Sequence, residues 1–556
     1  MNRGHAKIQL FAWPHASGHA LWFDIFACGI VPLKVVFQMI KEDLFMRVLL
    51  LFLTFCCAVS FCACSMGENT QEGSSDMTLE PVVTPEVTVP DTTESKGDEP
   101  MQEMDYGYVD KWGGEYTFGV IGKDKTVEEQ RGEILAAMNR AIQTETVWKE
   151  VPSYHPTLPD YDHIKAITYE GFVYQGQKTK IFAYVGFPEG ASSENPVPAV
   201  VLVHGGGGHP YMEWVRLWNE KGYAAIAMET TGCFPSAPNV GVGEGDNEKF
   251  VYGLHGIFLE EGFGNAPGRD YPTSYAEVED QWAYHGLTQV ILASNILRQD
   301  DRVITDQIGI TGISWGGVMV SQIIGYDQRY AFAIPTYGTA YLGDPVMVFQ
   351  NWDEPYIQAL WAAERLLDNA TMPIMWYTYA DDNNFGVNSY VKSYKHTEGF
   401  NDKNILVMLK EWGHSHSHVF WQSHPYLYAD WVIKGEGGII TVLEQPTDRE
   451  IVCRLNVPSE ATDISVTVNY ITERMTYGLF DKFNWGRSYT FLEQFWQSYE
   501  AEMSLGADGI LKAGKIPEEA AGYYLSIRYK TGGIPFETSS IYVDCFSTKK
   551  IFTIYN

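Results

Sequence analysis

Apolar and polar positions fall into a regular order from about residue 165. His163–Gly190 alternates between the two classes in two runs that meet at Gly176, which predicts a pair of antiparallel strands. Pro196–Val203 is nearly all apolar and ends in His204-Gly205-Gly206-Gly207-Gly208, the pattern of a strand buried on both faces. A polar, helix-like stretch follows, and Tyr223–Met228 is a second buried strand. Helical patterns over Trp282–Leu297, Gly317–Ile324, Glu354–Leu367 and Phe420–Ile433 then alternate with short strands at Gln307–Ile313, Tyr330–Tyr337, Pro373–Tyr379 and Asn404–Lys410. This alternation predicts a doubly wound, mostly parallel α/β sheet in a domain spanning 105–435, with its core from about 165. Residues 229–280 break the order. Rich in glycine, proline and acid, and without period, they read as a functional insertion.

After Gly435-Glu436-Gly437-Gly438 the texture changes. Ile439–Gln445, Ile464–Thr472, Tyr523–Lys530 and Ser539–Cys545 are short and β-rich, with turns between them. They predict an all-β, sandwich-like C-terminal domain over 439–548.

The N-terminal segment predicts export. Arg47 followed by the apolar Val48–Phe61 has the form of a secretory signal at 46–64. Residues 1–45 carry no clear pattern and read as the product of an upstream start, with Met46 the initiator. Phe61-Cys62-Ala63-Cys64 resembles a bacterial lipoprotein cleavage box with Cys64 as the lipidated residue. Phe61 and Cys62 depart from the aliphatic and small residues usual there, and a soluble periplasmic protein is the alternative. Residues 65–104 are acidic and rich in Pro, Thr and Ser; they bury too little apolar surface to fold and read as a tether. The expected membrane contact is therefore only a lipid on Cys64, in the cell envelope.

Charge and cysteine content narrow the classes further. Seventy acidic residues against 39 basic give a net charge of −31, which argues against a nucleic-acid partner. Of eight cysteines only Cys233, Cys453 and Cys545 lie beyond the signal, an odd number without CxxC spacing; this argues against a disulfide framework or a structural zinc. Cys453 and Cys545 are the pair that an exported domain could bridge.

The chemistry centres on Gly312-Ile313-Ser314-Trp315-Gly316-Gly317, between a predicted strand and a predicted helix. A serine at the tip of such a turn stands exposed above the sheet, and the N–H of Trp315 is placed to stabilise an oxyanion. The glycine loop after the early strand supplies a second donor, by position the Gly206 N–H. It is not a phosphate loop, since His209-Pro210 stands where Gly-Lys-Ser/Thr is needed, and no cofactor is expected. A serine needs a base, and the base an orienting acid. Ala380-Asp381-Asp382-Asn383-Asn384-Phe385 ends one later strand and Glu411-Trp412-Gly413-His414 the next. His414, His416 and His418 stand at spacing two, so the run reads either as one base with two neighbours or as a His-x-His zinc site.

The elbow, together with Trp282-Ala283-Tyr284-His285, Asp327-Gln328-Arg329-Tyr330 and Pro335-Thr336-Tyr337-Gly338, resembles bacterial acetylxylan esterase-like α/β-hydrolases. These are related to dienelactone hydrolase and to the catalytic domain of prolyl oligopeptidases; the resemblance covers about 165–435. It implies a Ser314, Asp382, His414 triad that hydrolyses esters through an acyl-enzyme, with a small-molecule or glycan ester as substrate and no metal. Tyr379 stands where the family has a glycine three residues before the acid, which leaves Asp381 as an alternative. His414 lies six residues before Phe420, as the family's base does before an aromatic, and His416 is the reserve. His414→Ala is then expected to abolish turnover and His416→Ala to leave most of it. Specificity is expected from 229–280, Tyr337 and Trp352. The competing readings are a prolyl oligopeptidase-type peptidase, which usually carries a large N-terminal propeller, and a metal-dependent hydrolase on the histidine run. The C-terminal domain is expected to cover one edge of the hydrolase rather than to offer a sugar platform; Trp485 and Trp496 suit core and ligand-facing positions equally.

Overall fold

The computed structural model describes residues 125–152, 161–176, 178–206, 208–234, 257–258, 277–342, 359–380, 382, 384–410, 414, 416–472 and 496–545. Outside them lie the signal-like segment with Cys64, the tether, most of the 229–280 insertion, Trp352, Asp381, Trp485 and the side chain of His418.

The elements follow the predicted alternation. In chain order they are α1 (Val127–Gln143), β1 (Trp148–Glu150), β2 (Ile164–Glu170), β3 (Lys180–Gly186), β4 (Val197–Val203), α2 (Met212–Glu220) and β5 (Ala224–Met228). The small pair β6 (Cys233–Phe234) and β7 (Ile257–Phe258) comes next. Then follow α3 (Trp282–Arg298), β8 (Val303–Ile313), α4 (Trp315–Tyr326), β9 (Ala333–Thr336), β10 (Met375–Tyr379), α5 (Val387–Thr397), β11 (Ile405–Leu409), α6 (His416–Phe420) and α7 (His424–Ile433). Nine strands form one sheet in the order β1-β2-β3-β5-β4-β8-β9-β10-β11. The first three pair antiparallel, as does β3 with β5; from β5 to β11 every pairing is parallel. This is the mixed, mostly parallel sheet of an α/β-hydrolase. Strands such as β5, β10 and the covered edge strand β11 are buried along their whole length, which is why they read as unbroken apolar runs. Helix α3 is buried on nearly all sides.

Two predicted helices differ. The single helix expected over Phe420–Ile433 is two, α6 and α7, separated at Trp421–Ser423. Pro425 lies in the first turn of α7, where its missing N–H costs nothing but a continuing helix is blocked. The described end of the Glu354–Leu367 helix is drawn into 3-10 turns at Ala363–Arg365 and Leu367–Asn369.

Two antiparallel sheets follow, built from β12 (Thr441–Glu444), β13 (Glu450–Asn456), β14 (Thr462–Ile471), β15 (Gln497–Glu500), β16 (Ser504–Leu505), β17 (Ile510–Lys515), β18 (Gly522–Thr531), β19 (Ile534–Ser539) and β20 (Val543–Asp544). One runs β12-β13-β17-β16; the other runs β15-β14-β18-β19, with β20 also on β18. Val466, Val468, Leu525 and Ile527 share a buried face of the second sheet. Cys453 and Cys545 form no disulfide, and burial pushes the Cys453 thiol up to about 12, so it stays neutral.

The edge strand β19 of the second sheet meets the hydrolase. Strand β11 is an edge of the nine-stranded sheet, and its outward backbone is met by one side chain: the Met408 N–H donates to the Ser539 hydroxyl at 2.9 Å, and that hydroxyl lies 3.2 Å from the Met408 carbonyl. The Trp496 indole N–H donates to the Ala380 carbonyl at 3.0 Å, and the Glu537 N–H to His424 Nε2 at 3.2 Å. An open strand edge is thereby covered.

Candidate active site

Ser314 stands between β8 and α4 with φ 57° and ψ −120°, a left-handed conformation that costs a non-glycine residue energy. The turn holds because its neighbours lack side chains. A Cβ at Gly312 would stand 2.2 Å from the Gly316 carbonyl oxygen, and one at Gly316 2.2 Å from that of Val203. The Ser314 N–H donates to the Thr336 carbonyl at 2.7 Å, and the Ser314 carbonyl accepts from the Val318 N–H at 3.1 Å. The hydroxyl is therefore presented at the C-terminal end of the parallel strands, with the Trp315 N–H heading α4 beside it.

The structure brings the three sequence-predicted partners together. Ser314 Oγ lies 2.7 Å from His414 Nε2, and His414 Nδ1 lies 3.1 Å from Asp382 Oδ2. A carboxylate can only accept, so Nδ1 carries the proton and Nε2 receives the serine O–H. The other oxygen of Asp382 accepts from the Asn384 N–H at 2.7 Å and the Phe385 N–H at 3.1 Å, which fixes the fully buried carboxylate. The His414 ring is flanked by Phe385, stacked at 6.0 Å between centroids, and by Tyr337 at 5.3 Å. Tyr337, expected to line the substrate, is only 2% exposed. It too has a left-handed backbone, φ 51°, and packs on Tyr379 as well as on His414.

The glycine loop lies against the elbow. A Cβ on Gly205 would stand 2.8 Å from that of Ser314, and one on Gly206 4.0 Å from that of Trp315. Gly206 is exposed at the site. His204 is buried below: its Nδ1 donates to the Gly205 carbonyl at 2.8 Å, and its Nε2 accepts from the Thr230 N–H at 3.1 Å. Glu229 Oε1 stands 3.4 Å from the same Nε2.

His416, the reserve choice for the base, is engaged elsewhere. Its Nε2 accepts the Gly205 N–H at 2.9 Å, so it faces the glycine loop, not Ser314. Burial and the nearby His204, His414 and His209 push it well below the usual imidazole range, which keeps that nitrogen an acceptor. Sequence reasoning missed this contact and the Glu229–His204 pair. The one available signal was the glycine content of the loop, which leaves room for the ring.

Comparison with known proteins agrees with this chemistry at a coarse level. Residues 267–404 match the model of the prolyl oligopeptidase family, a stretch that includes Ser314 and Asp382 and ends before His414. A probable dipeptidyl-peptidase 5 from Emericella nidulans is 27% identical over 203 residues, 35% of this chain. Dipeptidyl-peptidase 5 from Aspergillus oryzae is 24% identical over 168 residues, 29% of this chain. The matched stretches span 24% and 18% of those relatives' lengths. Among solved structures, acetyl xylan esterase 1 from a Thermoanaerobacterium species covers 55% of this chain and 93% of its own at 14% identity and TM-score 0.37. Acylaminoacyl peptidase from Pyrococcus horikoshii covers 50% and 43% at 15% identity and TM-score 0.37. The sheet order and the strand–serine–helix elbow are those of an α/β-hydrolase fold, and the stretch similar to the prolyl oligopeptidase family carries that elbow.

Proposed function

We propose that this chain is a serine carboxylic-ester hydrolase that removes acetyl groups from a sugar or polysaccharide. The observation that carries it is the hydrogen-bonded chain from Asp382 through His414 to Ser314. Ser314 Oγ attacks the ester carbon while His414 Nε2 takes its proton, giving a tetrahedral oxyanion between the Trp315 and Gly206 N–H groups. Collapse breaks the C–O bond, and the proton passes from His414 to the leaving sugar hydroxyl. Water then gives its proton to His414 and attacks the acyl-enzyme; acetate leaves and Ser314 regains its proton. Asp382 holds the imidazole tautomer and balances its transient charge.

The sugar ester is chosen on the sequence resemblance and on the export signal. With Cys64 lipidated and 65–104 as a tether, the enzyme works at the cell envelope. A peptidase is the second reading, favoured by the prolyl oligopeptidase family match and the dipeptidyl-peptidase relatives. The full chain, assayed side by side on acetylated xylo-oligosaccharides and on proline-containing dipeptidyl amides, separates them. Release of acetate with the higher kcat/KM supports the esterase; faster peptide turnover overturns it.

A further inference from the structure

We infer that His416 is a positioning residue that fixes the oxyanion loop to the loop carrying the base. The inference rests on the serine acyl-transfer reading and assigns a role which that reading leaves empty. His416 follows His414 by two residues, yet its Nε2 accepts the N–H of Gly205, 211 positions earlier in the chain. One ring thus ties the start of α6, just after the base, to the loop after β4.

The peptide units at Gly205 are held on both sides. His416 takes the N–H of the peptide before it. His204 Nδ1 and the Gly208 N–H, at 2.8 and 3.0 Å, both donate to the carbonyl of the peptide after it. That second peptide also contains the Gly206 N–H. In a planar trans peptide the N–H points opposite the C=O. With the carbonyl drawn toward His204, the Gly206 N–H is turned away from it. The loop's sequence fits the ring. A Cβ at Gly208 would stand 2.7 Å from His416 Nε2, and one at Gly205 3.0 Å. The Tyr211 ring lies 5.2 Å from the His416 ring and limits its swing. A donor misplaced by about 1 Å costs up to about 100-fold in rate, so a residue that aims the donor acts on kcat without touching substrate. This revises the expectation that His416→Ala leaves most of the turnover.

The test compares wild type, His416→Ala, His416→Gln and Gly208→Ala on p-nitrophenyl acetate, with fluorophosphonate labelling of Ser314 and inhibition by a trifluoromethyl ketone, whose adduct carries the oxyanion. His416→Ala is expected to lose about 10- to 100-fold in kcat with KM within about threefold, and to bind the ketone more weakly by a similar factor. His416→Gln, whose amide oxygen can accept the Gly205 N–H, recovers most of the loss. If His416→Ala does not fold, Gly208→Ala, which displaces the ring, shows the same signature. Unchanged kcat in a folded His416→Ala, or in Gly208→Ala where that variant stands in for it, or a loss that leaves ketone affinity intact, overturns the inference. A wild-type protein that neither labels nor turns over ester or peptide overturns the serine-hydrolase reading instead.

Discussion

Asp382 shows how much one carboxylate is asked to do. One oxygen is committed to two backbone amides and only the other reaches His414. An asparagine there keeps its carbonyl on the amides and turns its NH2 toward Nδ1, forcing the wrong imidazole tautomer. Asp382→Asn is therefore expected to lower kcat by about 10⁴. Asp381→Asn is expected to leave kcat within a few fold, and steady-state kinetics of the pair decides which aspartate serves the base. Ser314→Ala removes the nucleophile itself and is expected to abolish both turnover and fluorophosphonate labelling.

At the scale of elements, the elbow depends on two main chains crossing where no side chain intervenes. Gly316→Ala puts a methyl against the Val203 carbonyl, which neither β4 nor α4 can yield without parting. The expected cost is about 1–3 kcal/mol or more, read as a lowered Tm together with slowed labelling of Ser314. This is also the scale at which the sequence was most legible. β5, β10 and β11 announced themselves as buried apolar runs, and chain order placed the strand ends that carry Ser314, the acid and the base, while the family resemblance chose Asp382 over Asp381 and His414 over His416. The break between α6 and α7 was harder to read, since the apolar pattern runs through it and only Pro425 marks the restart. The bond from His416 to Gly205 was not legible at all. It joins residues far apart in sequence, and nothing in local spacing distinguishes a ring that accepts from a distant amide from one that faces solvent.

Across the whole molecule, the C-terminal sheets bear on the site through Ala380, two residues before Asp382. Trp496→Phe keeps an aromatic ring but deletes the N–H that holds the Ala380 carbonyl, together with part of the indole's buried surface. It is expected to lower kcat several-fold, against an expected loss of about 0.5–1.5 kcal/mol in stability, measured by kinetics and thermal melting on one preparation. His424 at the same seam and His285 within α3 are both pushed down by burial to about 4. The folded protein keeps these rings neutral, whereas the unfolded chain protonates them near the ordinary 6.5. Stability is therefore full above about 6.5 and is lost as pH falls toward 4, by up to about 3 kcal/mol per ring. His424→Gln is expected to flatten the fall of Tm across that window.

The Ser539 hydroxyl on Met408 has a consequence in time as well as in space. Met408 must wait for a residue made 131 positions later before its backbone is satisfied. A chain that crosses a membrane from its N-terminus onward presents Met408 well before Ser539. Through that interval the hydrolase sheet has all its strands but an unsealed flank, able to accept a strand from any neighbouring chain. The last strands to emerge close that window, so the order of emergence makes the C-terminal sheets the final guard against mispairing.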